Sequence, residues 1–416
     1  MRVLFLARDL PLPANNGTRL RTWALLRAQA AEGHSISLLA FTRPGEASDA
    51  VMASLGQVCR EVVLVPLAMG SLSAEVNLGA RIGALTRARP YSVERFVSAD
   101  MRRLARERLE TNELDVVFCD VFTSVNVPDT RLPILINHEN VEHIILRRYC
   151  DVERNPARRA YAWLEHVKMR RWERRVCARA RMSLACSGVD AQTLQRLCPT
   201  TPFVTAPNIV ELDGMNAGAP AEEPSTILFQ GGMDWLPNRD AVDFFANAIF
   251  PRIRTLAPEA RVVVAGRNPS PDFVASFAHV PGMCFTGTVP DMRPVIASAA
   301  VSVAPLRIGS GTRVKIIEAA ALGKPVVSTR IGAEGLDFVD GEEIVLADDP
   351  VRFAEAVADL LGDSASRRRI GDAARRRVQH SYSLPALRRA LAEAMARVER
   401  EVIAAQGAGA TGPLAP

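Results

Sequence analysis

The chain has 416 residues, 48% hydrophobic and 23% charged, which is the composition of an ordinary globular protein long enough for two domains. Its apolar runs are far shorter than a membrane span. Its seven cysteines are scattered, odd in number and without C-x-x-C spacing, which argues against a disulfide framework or a zinc site and favours a reducing cytoplasm. The net charge of +5 is a mild excess, compatible with anionic small molecules, membrane surfaces or nucleic acid.

The first half of the chain alternates short apolar segments with segments of helical periodicity. A helix is predicted over Thr18–Glu32, where apolar residues recur at helical spacing until Gly33 ends it. Strands are predicted at Val3–Ala7, Ser35–Phe41, Val62–Pro66, Val116–Cys119, Ile134–Ile136 and Ser183–Ala185. Strands that alternate with helices predict a parallel sheet covered on both faces.

The second half repeats this alternation after a segment rich in Gly, Ala, Pro and Glu. Strands are predicted at Ile227–Gln230, Val262–Ala265, Met283–Phe285, Val301–Ala304 and Val326–Ser328. Helices are predicted at Asp240–Leu256, Met292–Ala299, Arg313–Leu322, Val351–Leu361, Ala365–His380 and Leu387–Ala405. This pattern predicts an α/β protein with a second doubly wound domain.

The simplest architecture is two Rossmann-like, doubly wound domains that face each other across a cleft. We place the first domain at residues 1–211, a linker at 212–225 and the second domain at 226–385. A helix at 386–405 is expected to pack back on the first domain, and the Gly/Ala/Pro tail at 406–416 is expected to be disordered.

The most informative segment is residues 309–325, where a Gly-Ser-Gly-Thr turn leads directly into a helix. Free backbone N–H groups at a helix start, together with the helix dipole, form an anion site. Lys315 and Glu318 are three residues apart and share a helical face, and Arg313 adds a second cation. A cation suits a diphosphate, and a carboxylate can accept hydrogen bonds from ribose hydroxyls. The alternative is a capped helix with a structural ion pair.

Residues 309–336, GSGTRVKIIEAAALGKPVVSTRIGAEGL, resemble the donor-site signature of the retaining glycosyltransferases of family four, the group 1 glycosyltransferases of GT-B fold. Other segments resemble the same family or a subset of it: FTGTVPDMRPVIASAAVSVAPL, GGMDWLPNRDAVDFF, NHENVEHIILRR, ACSGVDAQTLQRL and APNIVELD. The resemblance covers nearly the whole chain. It implies the GT-B fold, an acceptor-side first domain and a nucleotide-sugar donor domain after it.

The resemblance also implies roles for residues of the second domain. Glu318 matches a ribose-binding Glu, and by position Arg313 and Lys315 would hold the diphosphate and stabilise it as a leaving group. The remaining residues that we assign to donor binding in this domain are Gly232, Arg267, Ser310, Gly311 and Thr312.

Two departures from the family pattern bear on the donor. Many members carry a sugar-contacting Glu eight residues before the ribose Glu, where this chain has Ser310. Many also place an Arg and a Lys just after the first strand of this domain, where residues 231–238 contain neither. These differences leave the identity of the donor open and increase the expected importance of Arg313 and Lys315.

In the first domain, the candidate residues follow predicted strands, where open α/β sheets bind ligands. Asn16 and Gly17 are assigned to donor binding and Arg19 to the acceptor side, because the family uses this loop beside the donor phosphates and the acceptor. His138 resembles a catalytic cleft histidine of the family, although a lone histidine is more often structural. Glu139 is assigned to the acceptor side.

A strongly basic segment spans Arg147–Arg181. One interpretation is a surface helix with a solvated basic face. The other is contact with an anionic membrane surface or a lipid-linked acceptor, which would make the protein cytoplasmic and peripheral on the inner face of the membrane. Nucleic acid is disfavoured because no binding motif accompanies the charges.

The sequence therefore predicts a retaining transfer of a hexose-like sugar from a nucleotide diphosphate sugar to an acceptor hydroxyl of a glycan or lipid-linked substrate. Cell-envelope or exopolysaccharide synthesis is the expected context. No D-x-D carboxylate pair is apparent, so neither a cofactor nor an obligatory metal is expected. A GT-B nucleotide-sugar epimerase and a non-catalytic sugar-nucleotide-binding protein are the alternatives.

Overall fold

The computed structural model describes residues 1–67, 83, 86–111, 113–211 and 220–409. The chain divides into two compact units, each built on its own sheet. Unit 1 comprises Met1–Cys150, Asn155–Asn208 and the C-terminal segment from Leu384. Unit 2 comprises Ile209–Ser383 together with the short segment Asp151–Arg154.

Unit 1 contains a seven-stranded sheet. Its strands are Arg2–Ala7 (β1), Ser35–Thr42 (β2), Glu61–Pro66 (β3), Val116–Asp120 (β4), Ile134–His138 (β5), Met182–Ala185 (β6) and Phe203–Thr205 (β7). They pair in parallel in the order β3-β2-β1-β4-β5-β6-β7. The predicted parallel sheet is therefore confirmed, and the strand order reverses direction between β1 and β4, where open sheets of this kind bind ligands.

Helices connect these strands. They are Gly17–Ala31 (α1), Asp49–Gly56 (α2), Tyr91–Glu94 (α3), Ala99–Glu110 (α4), Glu142–Val152 (α5), Pro156–Arg179 (α6) and Gly188–Leu197 (α7). Local sequence explains where the longest of them begins. The side chain of Asn155 accepts hydrogen bonds from two amides of the first turn of α6, and proline stands at the first helical position.

Unit 2 contains a six-stranded sheet. Its strands are Glu223–Gln230 (β8), Arg261–Ala265 (β9), Met283–Gly287 (β10), Ala299–Ala304 (β11), Val326–Ser328 (β12) and Val345–Leu346 (β13). They pair in parallel in the order β10-β9-β8-β11-β12-β13. The order reverses between β8 and β11, which makes the carboxyl ends of these two strands the expected ligand site of this unit.

The helices of unit 2 are Leu236–Phe244 (α8), Phe250–Leu256 (α9), Pro271–Ala275 (α10), Met292–Ser298 (α11), Val314–Ala321 (α12), Pro350–Gly362 (α13) and Ser364–Ser381 (α14). The last helix of the chain, Leu384–Gly409 (α15), belongs to unit 1, where it packs against α1. An ion pair of 2.9 Å between Arg388 and Glu32 joins these two helices.

Three sequence-based boundaries need correction. β8 begins at Glu223, so the last three residues of the predicted linker 212–225 are strand, while residues 212–219 lie outside the described residues. The predicted helix Asp240–Leu256 begins earlier, at Leu236, and is interrupted by a π-helical turn at Phe245–Ile249. Residues 406–409 of the predicted disordered tail are helical, and residues 410–416 lie outside the described part.

Each unit has its own apolar core beneath its sheet. In unit 1 the rings of Phe5 and Phe118, on the neighbouring strands β1 and β4, stack at 4.8 Å between centroids. In unit 2 the fully buried rings of Phe245, Phe250 and Phe353 pack together between the helices and the sheet. Among the described helices, none combines the length and the apolar character that a membrane crossing requires.

Candidate functional site

The loops that follow β8 and β9 approach each other so closely that both need glycine. A Cβ atom placed on Gly266 would lie 2.0 Å from the carbonyl oxygen of Gly231, and both residues have a φ of +154°. Only glycine tolerates this combination of contact and backbone angle. The absent side chains keep the carboxyl end of the sheet open beside the start of α12.

Lys315, in the first turn of α12, brings its ammonium group to the loop after β8. Its Nζ donates to Asn238 Oδ1 at 2.7 Å and lies 4.4 Å above the ring of Phe229. A Cβ atom on Gly231 would meet this Nζ at 2.9 Å, so the glycine leaves room for the cation. Burial and, to a smaller extent, the charge of Arg313 lower the pKa of Lys315 to about 7, and Glu318 acts in the opposite direction.

Glu318 lies one helical turn after Lys315. It accepts a hydrogen bond of 2.7 Å from Gln230 Nε2, at the end of β8, and the same amide also donates to the backbone carbonyl of Lys315 at 3.2 Å. Burial raises the pKa of Glu318 to about 7, while Lys315 and Gln230 lower it. Lys315 and Glu318 both remain partly accessible to solvent, so their charged groups are available to a ligand.

Arg313 differs from Lys315 in its exposure and in its contacts. Its side chain is 4% exposed, and its guanidinium donates back to the carbonyl oxygens of Ser310 and Gly311, the second at 2.8 Å. A Cβ atom on Gly309 would collide with this guanidinium. The structure therefore gives Arg313 a role in holding the loop 309–313. Its predicted contact with the diphosphate stays a prediction.

The start of α12 has the form of an anion site. The described structure contains no side-chain cap hydrogen bond at this helix start, although most other helices of the chain have one. Amides of an uncapped first turn point along the helix axis and favour negative charge. Ser310 and Thr312 are themselves buried, and the donor-binding role assigned to them stays a prediction.

Gly232 and Arg267 lie together on the other side of this loop cluster. Arg267 Nε forms an ion pair of 3.2 Å with Asp234, and a Cβ atom on Gly232 would meet the Asp234 carboxylate at 2.5 Å. Sequence reasoning missed Asp234, Gln230 and Asn238. The signal that could have found them is their position, at or just after the end of the first strand of the unit.

In unit 1, Asn16, Gly17 and Arg19 form the first turn of α1. Asn16 caps the helix by accepting from the amide of Arg19 at 3.0 Å. The guanidinium of Arg19 is 4% exposed and pairs with Glu46 at 2.6 Å. These contacts show how the loop is held, and the assigned donor and acceptor roles stay predictions.

Glu139 belongs to a network at the carboxyl ends of β1, β4 and β5 that sequence reasoning only partly found. Arg8 contacts the Glu139 carboxylate and lies 3.5 Å from Asp120, and Thr18 donates to Glu139 at 2.8 Å. Burial raises the pKa of nearby Glu142 to about 7, an effect that Arg8 opposes. Arg8 and Asp120 directly follow the predicted strands Val3–Ala7 and Val116–Cys119, so the position after a strand that pointed to Glu139 points to them as well.

The catalytic assignment of His138 is not supported by its environment. The side chain is 1% exposed, its Nε2 lies 3.5 Å from Cys177 Sγ, and its ring packs near Phe203. Burial lowers its pKa to about 4, so the imidazole is neutral at pH 7. A histidine enclosed in this way favours the structural interpretation, and the catalytic role assigned to His138 stays a prediction.

The basic segment Arg147–Arg181 contains the second half of α5 and all of α6. Its two tryptophans differ in exposure. Trp172 is buried and donates to the carbonyl of Val121 at 2.9 Å, whereas Trp163 is 55% exposed. Most of the arginines of α6 are exposed.

No cluster of three or more potential metal-binding His, Cys, Asp or Glu side chains occurs among the described residues.

Comparisons with known proteins agree with this geometry. Residues 224–363, which contain β8 to α13, match the family described as glycosyl transferases group 1. The matched segment is similar to the group 1 glycosyltransferases, and the protein is a glycosyltransferase enzyme. The fold of this glycosyltransferase is GT-B. It superposes on sucrose-phosphate synthase from Thermosynechococcus elongatus with a TM-score of 0.70 at 17% identity, covering 97% of this chain and 100% of that one.

Two further relatives cover the glycosyltransferase almost completely. Alr3699/HepE from Anabaena, solved in complex with UDP and glucose, superposes with a TM-score of 0.63 at 13% identity, covering 95% of this chain and 100% of that chain. An uncharacterised 44.6 kDa protein from the cps region of Klebsiella pneumoniae is 19% identical over 393 residues, which are 92% of this chain and 96% of the relative.

Proposed function

We propose that this glycosyltransferase moves a sugar, with retention of anomeric configuration, from a nucleotide diphosphate sugar to an acceptor hydroxyl. The observation that carries the proposal is the pair Lys315 and Glu318, which projects from the first turns of α12 at the switch point between β8 and β11. Retention follows from the resemblance of residues 309–336 to family four. The UDP and glucose bound by Alr3699/HepE support a nucleotide-sugar donor.

Each part of the pair would serve a different part of the donor. The Lys315 ammonium and the uncapped amides of α12 would bind the diphosphate, and Glu318 would accept hydrogen bonds from the ribose. Arg313 would act as a positioning residue that fixes the loop 309–313, and its charge would lie behind the diphosphate.

The chemistry requires stabilisation of a departing diphosphate. The bond between the anomeric carbon and the diphosphate oxygen breaks, and negative charge collects on that oxygen. The acceptor oxygen bonds to the anomeric carbon and its proton passes to the departing diphosphate or to solvent. A fixed cation and fixed amides lower the barrier because they need no reorganisation as the charge develops. We propose that these groups carry out this role without an obligatory metal, so excess chelator should leave turnover unchanged.

The acceptor and the cellular setting are proposed from the same residues and relatives. The network of Arg8, Thr18 and Glu139 offers donors and acceptors to a glycan hydroxyl in unit 1. The relative from the cps region supports polysaccharide synthesis at the cell envelope. The exposed arginines of α6 and the exposed Trp163 support peripheral contact with an anionic membrane surface from the cytoplasmic side.

A donor panel tests the proposal. The full-length protein is incubated with nucleotide sugars of different base and sugar, with and without an acceptor mixture, and released nucleoside diphosphate is measured. The proposal predicts release that depends on acceptor. Donor conversion without acceptor would indicate an epimerase, and binding without turnover of any donor would indicate a non-catalytic protein.

A further inference from the structure

A cavity of about 350 Å³ lies in unit 1 along one face of α6. This volume is within the range of sites that hold small ligands. The proposed transfer reaction makes no use of the cavity, and its lining differs in character from the loop clusters at the strand ends. Cationic and apolar side chains both line it.

The cationic part consists of Arg87, Lys168, Arg171 and Arg175. Two of these charges already have carboxylate partners. Lys168 pairs with Glu165 at 3.4 Å, and Arg87 pairs with a second carboxylate at the same distance. Arg171 and Arg175 are exposed, and neither makes an ion pair or a hydrogen bond within the part of the chain that the structure describes. The cavity therefore carries an excess of about two positive charges, which matches a phosphate or diphosphate group.

The apolar part consists of Leu164, Val167 and Trp172. Trp172 is held in place by its hydrogen bond to the carbonyl of Val121, the residue that follows β4. The exposed Trp163 is on the same helix, four residues before Val167, so it extends the apolar surface by one turn. Exposed arginines beside aliphatic and aromatic side chains form an amphipathic site. Such a site matches a ligand with a charged head and an apolar chain.

We propose that this cavity binds a phosphate or diphosphate group carried on an apolar chain. The phosphate contacts Arg171 and Arg175, because arginine binds phosphate oxygens in a bidentate fork. The first carbons of the chain lie against Leu164, Val167 and Trp172. This site is independent of the donor loops of unit 2, so it goes beyond the transfer reaction and does not depend on it.

The test uses full-length protein and calorimetry with dodecyl phosphate below its micelle concentration. Inorganic phosphate and dodecyl maltoside are the comparison ligands, since the first has the phosphate without the apolar chain and the second has the apolar chain without the phosphate. Dodecyl phosphate should bind more tightly than either. The double variant Arg171→Gln/Arg175→Gln should weaken its binding by at least about tenfold. Val167→Asn should weaken dodecyl phosphate and leave inorganic phosphate unchanged.

The matched control is Arg158→Gln/Arg159→Gln, which removes the same charge from exposed positions of α6 outside the cavity. An equal loss in both double variants would overturn the proposal, because it would indicate diffuse attraction to a basic helix. Equal affinity for dodecyl phosphate and inorganic phosphate would overturn it as well.

Vesicles that contain phosphatidate distinguish two sources of the ligand. If vesicle binding falls only in the cavity variant, the phosphate belongs to a bilayer lipid. If vesicle binding is the same in both variants while dodecyl phosphate is lost only in the cavity variant, the ligand is a separate lipid phosphate. Both results support the cavity. Nucleoside diphosphate affinity is measured in parallel, and its absence in wild type would contradict the proposed function without affecting the result for the cavity.

Discussion

At the scale of single residues, the proposed nucleotide binding depends on Lys315 and Glu318. Each sits in an environment that disfavours its charge, which is typical of groups with a functional task. A diphosphate near Lys315 and ribose hydroxyls near Glu318 would both favour the charged forms. The following predictions depend on these two side chains and on Arg313.

Replacing Lys315 by Met keeps the length of the side chain and removes its charge. We expect transfer to fall by more than about tenfold, because one fixed contact to the developing negative charge is lost. Arg368→Gln, which removes an exposed charge from α14 of the same unit, is the control. Turnover near the wild-type rate in Lys315→Met would remove the leaving-group role from this residue.

Glu318→Ala should mainly weaken nucleoside diphosphate binding, by about tenfold for the loss of charge-assisted hydrogen bonds. A nucleotide that lacks both ribose hydroxyls should bind wild type and variant equally. Calorimetry of both proteins with both nucleotides isolates the contact. If Glu318→Ala lowers the affinity for both nucleotides by the same factor, Glu318 does not bind the ribose.

The pKa of Lys315, lowered to about 7, predicts proton uptake when a diphosphate binds. At pH 8 most Lys315 side chains are neutral, and the ligand raises the pKa, so binding takes up protons. At pH 6 Glu318, with its pKa raised to about 7, is mostly protonated, and binding of the ribose to the carboxylate releases protons. Calorimetry in buffers of different ionisation enthalpy measures the protons taken up or released on binding at each pH. Lys315→Met should lose only the uptake.

At the scale of elements, the strand-end loops and the start of α12 form the proposed donor site. Arg313→Gln should lower the free energy of unfolding by about 1–3 kcal/mol, because buried carbonyls of Ser310 and Gly311 lose a charged donor. It should also lower transfer, since the loop holds the anion site. Denaturant unfolding and kinetics on the same variant separate the two effects. Lower transfer at unchanged stability would assign Arg313 to the diphosphate directly.

The close contact between the loops after β8 and β9 gives a second prediction at this scale. Gly266→Ala should destabilise the protein by about 1–3 kcal/mol, because the new Cβ collides with the backbone of Gly231. Gly287 also has a positive φ but has open space around it. Gly287→Ala is therefore the control that measures the cost of the backbone angle alone. A smaller effect at Gly266 than at Gly287 would contradict the close approach.

At the scale of the whole molecule, the sequence was sufficient for the fold and for part of the site. Periodicity located nearly every strand, and the Gly-Ser-Gly-Thr turn located the start of α12 within one residue. Periodicity could not reveal the π-helical turn at Phe245–Ile249, because an extra residue in one helical turn is set by packing of buried rings.

The roles of individual side chains depended on tertiary contacts that no local pattern encodes. Lys315 and Arg313 are both cations at the start of α12, and the sequence does not distinguish their roles. In the structure, the ammonium of Lys315 reaches the segment after β8, whereas the guanidinium of Arg313 donates to a carbonyl of its own loop. His138 ends a strand as the rule requires, but its side chain enters the core beside Cys177. Arg8 and Asp120 meet only because β1 and β4 are neighbours in the sheet.

The proposed function depends on the binding of a nucleotide sugar by the Lys315 and Glu318 pair. The most direct measurement is acceptor-dependent release of nucleoside diphosphate from a donor panel by wild type, Lys315→Met and Arg368→Gln. We expect release by wild type and Arg368→Gln, and a loss of more than about tenfold in Lys315→Met. Release at the same rate by all three proteins would contradict it.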